Sequence, residues 1–302
     1  MRLSILTYLI LLLALAGCSI KRLAVDSLGD AMANGSDVYA MDEDPDLIRD
    51  ALPFALKTVE GLLAESPENE KLLVTAASGF ASYAYLLRQE ADILGDERLS
   101  EARRMRQRAS RLFLRGRDYA LRGLNLSYPG FLDGLRQDPA STLALTGRKD
   151  VALLYWAGVS WAGAVSSDIS DLDLIADLPT AAALLRRVLD LDEGFDDGSA
   201  HDFFVAYEAG RPGGDVEAAR RHYDRALELS GGKRAGLYIT LAESVAVPQQ
   251  DLPLFRHLLE LALGIDPDRE PGLRLVNVLA QRRARWLQTH IADIFILADQ
   301  SG

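Results

Sequence analysis

The sequence has 302 residues, 49% of them hydrophobic and 25% charged, and a formal net charge of −11. That composition is not one of a disordered chain, and the acidic excess argues against sequence-independent binding to nucleic-acid phosphates. One cysteine rules out an internal disulfide scaffold, and a chain this long buries roughly three quarters of its unfolded surface, enough for one extended core or two.

Met1 and Arg2 precede Leu3 to Leu15, a run that is apolar except for Ser4, Thr7 and Tyr8. It has the length of a secretory apolar region and falls short of the ~20 residues of a spanning helix. Ala16 and Gly17 follow, and Leu15-Ala16-Gly17-Cys18 resembles the bacterial lipobox, in which the cysteine is acylated and becomes the first mature residue. Residues 1–17 therefore read as a lipoprotein signal peptide and Cys18 as the lipid attachment point. The competing reading is an uncleaved anchor with an incidental cysteine. Cleavage leaves 32 basic side chains against 44 acidic ones, a formal charge of −12. Each buried acyl methylene contributes ~0.8 kcal/mol, so a multiply acylated cysteine anchors a soluble body without a spanning helix. Ser19, in place of an aspartate, favours the outer membrane over the inner.

Residues 18–45 read as a lipidated terminus with a short helix over Lys21 to Asn34 and an acidic loop over Gly35 to Pro45. Residues 46–302 read as one helical domain. In "DPDLIRDALPFALKTVEGLLAESPEN", Leu52, Ala55, Leu56, Val59, Leu62 and Leu63 fall at helical spacing before Ser66-Pro67 stops the pattern. "EKLLVTAASGFASYAYLLRQEA" continues with Leu73, Ala76, Ala77, Phe80 and Ala84. No segment alternates with period two, so the fold class is all-α, about a dozen helices joined by short turns.

A recurring pattern marks the later helices. "EAARRHYDRALELSGG" places Ala219, Tyr223, Ala226, Leu227 and Leu229 as in the second helix of a tetratricopeptide repeat. "LFRHLLELALGIDP", "AAALLRRVLDLDE" and "ALKTVEGLLAESP" are further copies. The register on Ala181, Ala219 and Phe255 departs from the standard period of about 34 residues. These copies predict an array of antiparallel helical hairpins built from degenerate tetratricopeptide-like repeats.

The stretches "ALPFALKTVEGLLAESP", "ASRLFLRGRDYALRGL", "KDVALLYWAGVSWAGA", "LDLDEGFDDGSAHDFF" and "NVLAQRRARW" resemble, in order, the TatT component family associated with TRAP transporters. The resemblance runs from about Asp44 to the end. It implies a periplasmic lipoprotein of tetratricopeptide-like hairpins, a homotrimer that associates with a periplasmic solute-binding component, and a cavity or pore in each protomer. It implies neither catalysis nor a cofactor.

Three constellations are candidate sites. Residues 98–122 crowd arginines onto one helix, and Arg103, Arg104 and Arg108 are candidates for docking an acidic partner; a solvated or internally paired face is the alternative. In "LLYWAGVSWAGA", Tyr155, Trp156 and Trp161 stand among small residues and are candidates for lining a ligand cavity, with ordinary core packing as the alternative. In "NVLAQRRARW", Asn277 needs hydrogen-bond partners inside an apolar run, and Arg282 and Arg285 are further docking candidates, against a reading as a capping helix.

His201, His222, His257 and His290 lack metal-ligand spacing, and His201 reads as structural, in a helix opened by Ser199. No nucleophile elbow, Walker loop or dinucleotide-binding glycine pattern is present, so no enzyme is expected. Two function classes remain: a lipid-anchored repeat protein that serves a solute-binding partner through a cavity, and a tetratricopeptide-type scaffold that binds peptides in an open groove.

Overall fold

The computed structural model describes residues 36–94 and 98–296, together with Val25, Ser27 to Gly29 and Met32. Cys18, Ser19 and the signal peptide lie outside the described residues. Among these residues are fifteen α-helices and no strand. Helix α1, Ser36–Ala40, falls inside the stretch expected to be an acidic loop. The count also exceeds a dozen because several turns between long helices are themselves short helices.

Acidic caps start many of the elements. Helix α2, Pro45–Glu65, begins at Asp44, whose carboxylate accepts from the amides of Asp46 and Leu47 at 2.9 and 3.1 Å. Helix α3, Glu70–Asp92, begins at Asn69, which accepts from Leu72 at 3.0 Å. Helix α4, Leu99–Ser127, is the arginine-rich one, and the short helices α5, Phe131–Gln137, and α6, Pro139–Ala144, follow it. After α7, Val151–Ser167, come α8, Leu172–Ala176, and α9, Leu178–Asp192. Helix α10 is Ser199–Gly210, α11 Val216–Ser230, and α12 Ala235–Leu241, which runs on into a π-helical turn at Ala242–Ala246. The last three are α13, Leu252–Leu263, α14, Arg274–Thr289, and α15, Ile291–Ile294. Asp138, Asp171, Asp215 and Asp251 cap α6, α8, α11 and α13 in the same way. Part of the acidic excess is thus a set of helix starts, where a carboxylate meets free amides and the positive end of the dipole.

The buried side chains form two apolar cores. Helices α2, α3, α4, α7 and α9 supply most of the first, with Leu72, Leu154 and Leu185 fully enclosed. Helices α11 to α14 supply the second, around Phe255 and Leu259. Two helices serve both. On α10, Phe204 enters the first core and Val205 the second; on α14, Leu275 and Leu279 enter the first and Ala280, Ala284 and Leu287 the second. Neighbouring helical residues point about 100° apart, so one helix can seal two cores at once. No described helix is long and apolar enough to cross a membrane.

Candidate functional site

A half-open cavity of about 580 Å³ lies against the first core, walled by α2, α3, α7 and α14, with the exposed Ser82 and Val276 in its lining. Small side chains keep it open: Ala55 on α2, Ser78 and Ser82 on α3, and Gly163 on α7. Gly79 and Gly163 also permit close packing at its edge. A Cβ there would sit 2.7 Å from Leu56 Cδ2 and 2.7 Å from the Phe113 ring, respectively. Most of the lining is aliphatic or aromatic, including Leu52, Val59 and Leu279.

One end of the cavity is polar. Arg234, in the turn before α12, donates from Nη1 to the Asp196 carbonyl at 2.8 Å and to its carboxylate at 3.3 Å. Asp196 and Asp197 hold left-handed backbone, with φ of 48° and 54°, and Gly198 follows at 78°. Gly198 is required twice over, since a Cβ there would also come within 2.7 Å of Leu229. Two consecutive aspartates in this region store strain, of order 1–3 kcal/mol each, and the Arg234 contacts help hold them. Tyr155 and Tyr85 bring hydroxyls to the same end. Burial raises both phenols above their usual range, so they stay protonated as donors. Ser199 Oγ is buried beside the Tyr155 phenol.

Tyr155 and Trp156 both stand in the cavity wall. Their rings meet edge to face at 5.0 Å, and Phe195 packs on Tyr155 at 5.2 Å. Trp161 is placed elsewhere: it is buried behind the wall, with the Arg117 guanidinium 4.7 Å over its ring. Residues 155 and 156 share one stretch of α7, whereas 161 lies five positions on, or about 140° around the helix.

The arginine-rich helix is largely tied to its own fold. Arg106 pairs with Asp92 at 2.9 Å, Arg98 with Glu101 at 2.7 Å, and Arg115 with Glu60 while stacking on Phe80. Arg108 donates to the Tyr83 hydroxyl at 2.8 Å. Arg103 and Arg104 point outward and are exposed. On α14, Arg282 reaches Asp46 at 3.4 Å, Arg283 binds Glu243 at 2.6 Å, and Arg285 is exposed.

Asn277 is buried. Its Nδ2 donates to the Lys233 carbonyl at 3.0 Å and its Oδ1 accepts from the Ala235 amide at 2.9 Å. It therefore grips the backbone on both sides of Arg234. The polar run inside "NVLAQRRARW" signalled that such partners were needed, but the residue being positioned was not visible in the sequence. Arg234 and Asp196 carried no signal of their own beyond a glycine-marked turn in "SGGKRAG" and the left-handed tolerance of Asp-Asp-Gly. Ser199 does not cap α10 as expected: the cap position is Gly198, and no side chain caps that helix.

His201 and His222 meet through their Nδ1 atoms at 2.7 Å, and His201 Nε2 lies 3.1 Å from Glu193. Among the described residues, no group of three or more His, Cys, Asp or Glu side chains could hold a metal ion.

A sequence model of the TRAP transporter T-component family matches residues 41–295. An uncharacterized protein of Treponema pallidum (strain Nichols) is 30% identical over 303 residues, covering 93% of this chain and 94% of that protein.

Proposed function

Because the chain belongs to the TRAP transporter T-component family, we propose that it is the lipid-anchored accessory of such a transporter. In this reading it is held at the outer membrane by acylated Cys18, associates with the periplasmic solute-binding component, and carries the ligand in its own cavity. The cavity of about 580 Å³ is the observation that carries this reading. It lies within the range of roughly 300–1,000 Å³ typical of small-molecule sites. The family is an accessory transport component, and catalysis has no positive support.

Arg103, Arg104 and Arg285, which point outward, are the residues proposed to dock the partner. Arg108 and Arg282 have roles inside the fold and are secondary. Native mass spectrometry of the detergent-extracted protein, mixed with the solute-binding component of the same transporter, tests the whole. The expected result is a trimer that retains its acyl mass and binds the partner. Arg104→Glu/Arg285→Glu should slow association, and the effect should shrink as salt shortens the screening length to ~8 Å. A monomer that ignores the partner overturns the reading.

A further inference from the structure

Most of the cavity lining is apolar, and one end of it, around Arg234 and Tyr155, is rich in donors. We propose that this end is a carboxylate subsite, so that the cavity takes an amphipathic monocarboxylate with its head group on Arg234 and its apolar body against α2 and α3. The inference rests on the ligand-carrying reading of the cavity given above and adds the chemical class of the ligand.

Arg234 lines the cavity, and Asp196 engages only its Nη1. Its Nε and Nη2 make no hydrogen bond among the described residues. Those two N–H groups form one edge of the guanidinium, the fork that matches the two oxygens of a carboxylate. Asn277 fixes the backbone on either side, so the fork is held in place before a ligand arrives. The other cationic wall residue, Arg88, donates from Nη1 to Ser166 at 2.6 Å, while its Nε, 3.6 Å from Asp92, is buried without a hydrogen bond among the described residues and adds to the positive character of the wall.

The neighbouring groups favour the same charge. Tyr155 and Tyr85 offer hydroxyl donors. Ser199, only 6% exposed, sits behind the wall within hydrogen-bonding reach of the Tyr155 phenol and orients it. Asp202 stands near Arg234 and Tyr85, and burial raises its carboxyl towards the neutral form. A neutral Asp202 does not repel an incoming anion. A cationic head group would meet Arg234 and Arg88 and would find the one wall carboxylate, Asp196, already paired.

The test is displacement of the neutral fluorescent probe N-phenyl-1-naphthylamine from the full-length protein, with protein-free micelles as the blank. Octanoate and 1-octanol are the competitors, equal in chain length and different in charge. Octanoate should displace the probe at a concentration about tenfold or more below that of octanol. Arg234→Gln should bring the two within about twofold of each other. Tyr155→Phe/Ser199→Ala should lower the preference several-fold and serves as the second variant should Arg234→Gln fail to bind the probe. Equal displacement by both competitors, or a preference that survives these substitutions, overturns the subsite while leaving the cavity reading intact. A native protein that binds no probe overturns the cavity reading itself, and the subsite with it.

Discussion

Two copies of the same repeat pattern meet different fates in the two lobes. In "ALKTVEGLLAESP", Ala55, Leu56 and Val59 face the cavity. In "EAARRHYDRALELSGG", Ala219 and Ala226 are closed over at 0% and 4% exposure. Both use small residues at helical spacing to invite a neighbour close. On α11 the invitation is taken up, because α10 and α12 pack against it. On α2, α3 makes the near contact, while the face towards α7 and α14 is left as a gap. The pattern specifies which face is buried and says nothing about whether a helix or an empty volume lies beyond it.

Truncation should separate the two lobes most strongly. Phe255 is fully enclosed and packs edge to face on Phe295 at 4.9 Å. Phe255→Ala should cost roughly 3–5 kcal/mol, because the removed ring leaves a hole in a filled core. Trp156 is larger but only half-buried, with one side already facing the void. Trp156→Ala should therefore cost less than half as much while changing the affinity for an apolar probe. Chemical denaturation of the two variants measures the difference; equal losses would mean that the two cores are packed alike.

Enlargement should give the smaller, complementary contrast. Ala226→Leu has no room and should cost roughly 1–3 kcal/mol. Ala55→Leu places the same added atoms into the cavity. Its stability should stay within about 0.5 kcal/mol of the original, and its capacity for the probe should fall. An Ala55→Leu variant that loses stability like Ala226→Leu would show that the void closes in solution.

This contrast also marks how much could be read from sequence. The all-helical class, the caps and the buried face of each repeat are local properties, and they are legible in the spacing of Leu52, Leu56 and Val59 or in Asp44-Pro45. The short helix α1 was hidden because five residues carry too little periodicity to register. Tyr155 and Trp156 could be suspected from aromatics set among glycines and alanines. Arg234 could not, because its place depends on Asn277, 43 positions away in the chain, and on a strained turn at Asp196. Which helix packs against which is likewise a long-range property that no single stretch specifies.

The smallest effect expected concerns the junction of the lobes. His222, on α11, stacks on Phe204 of the first core at 5.0 Å and bonds to His201 on α10. Burial, then the nearby positive groups His201 and Arg186, holds the His222 imidazole down at about 4, and burial also lowers His201. Glu208 and Arg221 complete the charges around His222, while Glu193 and Arg225 stand at the far side of His201. Glu193 is held at about 2, chiefly by its hydrogen bond from Arg225, and so stays ionised until stronger acid. The unfolded chain binds protons on these histidines near pH 6.5, before the folded one does. Their contribution is therefore complete above pH ~6.5 and is lost as the pH falls towards 4. The melting temperature should be level near pH 7.5 and decline by several degrees through that window, and His222→Gln should flatten most of the decline. Because α10 and α14 each supply residues to both cores, calorimetry should show one transition moving as a unit. A transition that splits in two as the pH falls would show instead that the histidine contact, and not the shared helices, keeps the lobes folding together.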